Sequence, residues 1–196
     1  MLSSFDVVAV AASAGGINAL MELLQGLPAD FPAAVVIVQH LDPRHRSLMA
    51  DIMQRHCKLS VKQADEGDRI EPGNVYIAPP DHHLLITPHG TLTLTESELV
   101  HFVRPSADLL FESAATTYKD RCIAVVLTGT GFDGAMGVTA VKNMGGTVIA
   151  QDKASADFPG MPSAAIATGD VDFELSLGDI AGALVKLVGN DGNEQR

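Results

Sequence analysis

Apolar runs of strand length recur along this 196-residue chain with helix-period segments between them. That alternation confines the chain to βαβ units around a mostly parallel sheet. Phe5 to Val10 reads as a first buried strand, followed by Ser13-Ala14-Gly15-Gly16. Ile17, Leu20, Met21 and Leu24 then stand at the i, i+3, i+4, i+7 spacing of one helix face. Ala33 to Val38 is a second strand ending in Gln39-His40, with Leu48, Ile52 and Met53 marking the helix after it, and Leu59 to Lys62 suggests a third βα unit. From Asn74 to Ser97 the runs Val75-Tyr76-Ile77, Leu84 to Thr87 and Thr91 to Thr95 are short and divided by Pro- or Gly-containing turns, which predicts a small antiparallel excursion.

Pro105-Ser106 looks like a helix start, with Leu109, Leu110 and Ala114 facing inward. Ile123 to Leu127 is the next strand, Gly129 to Gly134 a glycine-rich turn, and Ala135 to Met144 a helix closed by Gly145-Gly146. Thr147 to Ala150, a short helix after Pro162, a strand near Val171 to Leu175 and a helix from Asp179 to Val188 complete the pattern. The expected fold is α/β, a doubly wound, mainly parallel sheet with helices on both faces, in a Rossmann-like three-layer sandwich. One domain spans 1–196, with its core at 5–188 and a flexible tail at 189–196.

Composition narrows the function. Thirteen Lys plus Arg against 24 Asp plus Glu give a formal charge of −11, which repels a nucleic-acid backbone or an anionic membrane surface. Cys57 and Cys122 form neither a metal-type nor a redox-type pair, so a reducing cytoplasm fits. The start of the chain lacks the basic and apolar segments of a signal peptide, and no run is long enough to span a bilayer.

Ala11-Ala12-Ser13-Ala14-Gly15 approaches the G-x-S-x-G nucleophile elbow. A serine nucleophile on such a turn needs small neighbours, and the free N–H groups of a helix start offer an oxyanion site. The plainer alternative is that Ser13 only caps the helix. His40 ends the second strand, at the sheet edge where open α/β folds bind ligands, although a structural role or a local pairing with Asp42 is also open. His82-His83 sit in a turn of the antiparallel section, and His45, His56, His89 and His101 make no recognised metal spacing. No cofactor or metal is called for.

Gly129-Thr130-Gly131-Phe132-Asp133-Gly134 matches G-x-G-x-x-G, and Asp152 lies downstream where a ribose-binding acid would. Yet Asp133 puts a carboxylate where a pyrophosphate would meet the helix N-terminus, which opposes nucleotide binding. The same acid suits the orienting member of a triad. Ser13, His40 and Asp133 thus reach one sheet edge from three strands, and a serine hydrolase becomes the leading reading. Its chain order, Ser then His then Asp, differs from that of α/β-hydrolases.

With these segments together, the chain resembles the catalytic domain of CheB-type protein-glutamate methylesterases of bacterial chemotaxis. The matching segments are Ala12 to Gly16, Val38-Gln39-His40-Leu41, Pro72 to Pro80, Arg104-Pro105-Ser106, Leu127 to Ala135 and Gly160-Met161-Pro162, within about Phe5 to Val188. The resemblance implies that Ser13 is the nucleophile, His40 the general base and acid, and Asp133 the partner orienting His40. Oxyanion and substrate contacts are expected from Ala14 and Gly15 on the first turn and Thr130 and Gly131 on the third. It implies hydrolysis of glutamyl methyl esters on chemoreceptor signalling domains, with release of methanol and glutamine deamidation as a second activity. Other chemosensory proteins are further expected partners.

Two positions depart from the family's habit: Ala14 stands where Thr is common, and Thr130 where Met is common. Family members typically carry a receiver domain ahead of the catalytic one. This chain starts at Met1 shortly before its first strand, so the expectation is a stand-alone domain or a piece of a longer fusion. The competing readings are a non-catalytic binding module of a chemosensory complex and a dinucleotide-binding protein.

Overall fold

A computed structural model of the chain describes residues 5–40 and 48–189. Seven strands form one sheet: β1 (Val7–Ala12), β2 (Ala34–Gln39), β3 (Ser60–Gln63), β4 (Asn74–Ile77), β7 (Cys122–Val126), β8 (Thr147–Gln151) and β9 (Phe173–Leu175), in the order β3-β4-β2-β1-β7-β8-β9. Every neighbouring pair is parallel. Apart from Gln39 at the end of β2, the central strands are apolar because a doubly covered parallel sheet leaves neither face to water, and β1, β2 and β7 are buried along their whole length.

Alternate residues divide the core in two. Val8, Val10, Ile37 and Val125 pack under α1 (Gly16–Gln25), α2 (Met49–Gln54) and α6 (Leu177–Gly189). Val7, Ala9, Val36 and Val126 point the other way, toward α3 (Ala107–Tyr118), α4 (Ala135–Asn143), α5 (Gly160–Ala167) and the antiparallel hairpin β5 (His83–Ile86) and β6 (Leu92–Thr95). The fold is therefore the expected three-layer, doubly wound sandwich. Strand order reverses between β1 and β7, so the crevice at their carboxyl ends is the natural ligand site.

Several local expectations need correction. The run Val75-Tyr76-Ile77 does not belong to the antiparallel excursion: β4 lies between β2 and β3, with Val35 opposite Val75. Its side chains are buried on both faces, which a short apolar run between turns does not reveal. Nor is Leu59 to Lys62 followed by a helix, since β3 leads through turns to β4. The helical stripes are rotated as well. α1 buries Ala19, Leu20, Leu23 and Leu24, while Ile17 is exposed. In α2 the inward pair is Met49 and Met53, with Leu48 and Ile52 outside, and in α3 Phe111 is buried where Leu109 is only half-buried. Each stripe had more apolar candidates than the sheet face could cover. The tail expected at 189–196 lies, beyond Gly189, outside the described residues.

Candidate active site

Ser13 follows β1, His40 follows β2, and Asp133 lies on the turn after β7, so the three adjacent central strands deliver them to one edge. Backbone bonds continue the sheet into the site: Ser13 N–H donates to Thr128 C=O at 3.0 Å and His40 N–H to Ala12 C=O at 3.1 Å. The buried Gln39 amide donates to the carbonyls of Ser13 at 2.8 Å and His40 at 3.0 Å, tying the two turns together. A cavity of about 640 Å³ opens here, lined by Ser13, Ala14, Gly15, Ile17, Gln39 and His40 among others.

Two glycines make this geometry possible. Gly15 sits at φ 75 as the residue before α1, a left-handed conformation that costs a side-chain-bearing residue energy. Gly129 approaches the serine so closely that a Cβ on it would meet the Ser13 Cβ at 2.8 Å. The third turn is thus packed against the first, which a G-x-G-x-x-G motif by itself does not disclose.

Asp133 is 3% exposed, and its carboxylate is surrounded by donors. Oδ2 accepts from His40 Nε2 at 2.8 Å and from Ala107 N–H at 2.7 Å. Oδ1 accepts from Ser106 Oγ at 2.9 Å and Asp108 N–H at 3.2 Å. Burial pushes its pKa up, but the bonds from His40, Ala107 and Asp108 outweigh burial and hold it below the usual carboxylate value. It stays ionised, so His40 Nε2 carries the proton of the shared bond and Nδ1 is the ring's remaining basic nitrogen. Apart from His40, the donors belong to the start of α3, whose free N–H groups favour an anion.

The alternatives for these residues separate cleanly. His40 is paired with Asp133, and Asp42 lies outside the described residues, as does His45. Asp152 accepts from Ser155 N–H at 2.8 Å and Ser155 Oγ at 2.7 Å, closing its own loop. His56 and His89 are exposed, His82 pairs with Glu96, and His101 pairs with Asp108. Among the described residues, no three His, Cys, Asp or Glu side chains cluster as a metal site would require. Ala14 and Gly15 line the cavity, and Thr130 and Gly131 are exposed on the turn packed against Ser13.

Sequence reasoning missed three contributors. Gln39 reads as the polar end of a strand, Ser106 as a helix start only, and His83 as a turn residue, whereas its side chain is fully buried in β5. The juxtaposition of Ser106 with Asp133 had one readable signal, the helix-start pattern at Pro105-Ser106.

A doubly wound α/β protein with a serine, a histidine and a buried carboxylate at its switch point has the layout of a hydrolase. The model of the CheB methylesterase family matches residues 8–184, and this chain belongs to that family of ester hydrolases. A Leptospira interrogans relative is 40% identical over 188 residues, covering 96% of this chain and 97% of the relative. The Pyrococcus horikoshii protein-glutamate methylesterase/protein-glutamine glutaminase is 40% identical over 184 residues, 92% of this chain but 50% of that protein. The crystal structure of the Thermotoga maritima CheB methylesterase catalytic domain superposes with a TM-score of 0.90 at 39% identity, covering 94% of this chain and 99% of that one. Among the described residues no helix is long and apolar enough to cross a membrane.

Proposed function

We propose that this chain hydrolyses glutamyl methyl esters on the signalling domains of chemoreceptors in the cytoplasm, with glutamine deamidation as a second reaction of the same site. The observation that carries this reading is the bond between His40 Nε2 and the buried Asp133 carboxylate, at a cavity that His40 shares with Ser13. Ser13 Oγ attacks the ester carbonyl as His40 Nδ1 takes its proton. Asp133 holds the ring and stabilises the imidazolium.

Backbone N–H groups of Ala14 and Gly15, with those of Thr130 and Gly131, face the oxyanion of the tetrahedral intermediate. Collapse of that intermediate breaks the carbon–methoxy bond, and His40 returns the proton to methoxide, releasing methanol. Water then attacks the acyl-serine with His40 again as base, which yields the glutamate side chain and restores Ser13. With glutamine the leaving group is ammonia. Because these donors are backbone groups, Ala14 in place of Thr and Thr130 in place of Met leave the chemistry intact.

Incubation with radiomethylated receptor membranes tests the reading. Volatile methanol is expected from the wild-type chain and not from Ser13→Ala. Receptor binding without methanol release from the wild type would favour a non-catalytic module instead.

A further inference from the structure

His83 takes no part in the reaction above, yet it is fully buried and both of its ring nitrogens are engaged. Nδ1 lies 3.1 Å from the Ser106 backbone nitrogen, and Nε2 lies 3.0 Å from the Glu98 carbonyl oxygen. Those partners settle the ring's state: a backbone N–H can only donate and a carbonyl can only accept. Nδ1 must therefore be bare and Nε2 protonated, a single neutral tautomer.

The residue held by Nδ1 is the one that starts α3. From that position Ser106 Oγ donates to Asp133 Oδ1 at 2.9 Å, and Ala107 N–H donates to Asp133 Oδ2 at 2.7 Å. The segment ahead of Ser106 is braced separately, by Arg104 bonding to Asp81 and to the carbonyls of Glu96 and Ser97.

We propose that His83 is a positioning residue for ester hydrolysis: its bare Nδ1 fixes Ser106, Ser106 fixes the Asp133 carboxylate, and that carboxylate sets the ring of His40. The proposal rests on the assignment of Ser13, His40 and Asp133 made above. An apolar side chain of similar shape would fill the space but leave the buried Ser106 N–H without an acceptor, and the helix start would have to shift to recover one. A protonated His83 would fare no better, since it would set one N–H against another. Burial and the positive charge of Arg104 oppose that protonation, while the bond to Glu98 C=O and the charge of Asp133 favour it; the net effect holds His83 below the usual imidazole value. The ring is thus neutral under the conditions in which His40 works as a base.

The test compares the full chain carrying His83→Leu or His83→Asn with wild type and with Ser13→Ala. His83→Leu is expected to lower kcat by about 10- to 100-fold with KM nearly unchanged, the scale of a small misplacement of a reacting group. His83→Asn can keep an acceptor where Nδ1 stood and is expected to recover most of that loss. Protonation of His83 should deepen the loss of wild-type kcat on acidification, a contribution that His83→Asn lacks. If His83→Leu does not fold, the pH profile of His83→Asn decides alone. A wild-type kcat in His83→Leu, or an acid limb unaltered in His83→Asn, overturns the proposal. Should Ser13→Ala remain active, it is the underlying site assignment that fails; should Ser13→Ala be inactive while the His83 variants behave as wild type, only the role of His83 fails.

Discussion

The first turn of α3 serves two histidine–carboxylate pairs, and they differ in almost everything that matters for chemistry. His40–Asp133 closes at 2.8 Å and His101–Asp108 at 3.1 Å, with both carboxylates nearly inaccessible. Asp133 accepts from Ser106 Oγ and two backbone N–H groups besides its histidine. Asp108 accepts from Gly137 N–H at 2.7 Å besides its own. Burial pushes both up; at Asp133 the donors overcome it, whereas at Asp108 burial, with the charge of Asp133 adding to it, prevails over Gly137 and His101. His40 borders a cavity with Ser13, while His101 packs edge-on against Phe132. A histidine beside an acid is therefore no signature by itself. The number of donors on the carboxylate decides whether they outweigh burial, and the neighbour of the free ring face decides whether the histidine has anything to act on.

The largest effect that could break this contrast is at the serine. Ser13→Ala should reduce ester hydrolysis to background while the thermal midpoint moves by no more than about 3 °C, the scale of ~1 kcal/mol in a domain of this size. Differential scanning calorimetry beside the methanol assay checks both halves, and a variant with wild-type turnover would remove the distinction between the two pairs.

Next comes Asp133→Asn, expected to lower kcat by up to about four orders of magnitude with KM changed little, as when the orienting acid of a triad is neutralised. The stability consequence has a definite sign. A carboxyl held below its unfolded value contributes stability above that value and loses it as pH falls through the folded one. Wild-type stability to urea should thus fall on acidification through that window, and this part of the slope should vanish in Asp133→Asn.

Gly129→Ala sharpens the role of the neighbouring turn. A methyl group there must displace both Ser13 and Met161, so turnover should fall by about 10- to 100-fold in a folded protein. Unaltered kinetics would mean that the close approach of the two turns does not set the position of Ser13.

Asp108→Asn should do least. Turnover is expected to stay within about threefold of wild type, because Asp108 meets Asp133 through its backbone N–H, which the substitution keeps. Here the pH dependence runs the other way: a carboxyl held above its unfolded value costs stability as pH rises from the unfolded to the folded value. That decline should disappear in Asp108→Asn, as read from unfolding midpoints across the acidic range. A loss of activity as deep as that of Asp133→Asn would show that the pairs act as one unit.

Much of the architecture was legible because burial on both faces of a parallel sheet forces continuous apolar strands. Val7–Ala12, Ala34–Gln39 and Cys122–Val126 announce themselves in this way. The turn that follows each such run must lie at the sheet's carboxyl edge, so Ser13, His40 and Asp133 could be placed at one edge from the sequence. β4 could not, since Val75-Tyr76-Ile77 between turns is as compatible with a hairpin as with a place between β2 and β3. Nor could the buried faces of α1 and α2, where Ile17 and Ile52 look as core-like as Leu23 and Met53.

What the sequence by itself determined, then, is the layered fold and the edge where its reactive residues gather. Which groups meet there was decided only by tertiary structure: the partner of His40 lies 93 positions away, and the acceptor that holds Ser106 lies 23 positions away. The physical reason is that periodicity and turn chemistry act over a few residues. A hydrogen bond between distant segments depends instead on strand order, register and the angle at which α3 crosses the sheet, and the whole core sets these together.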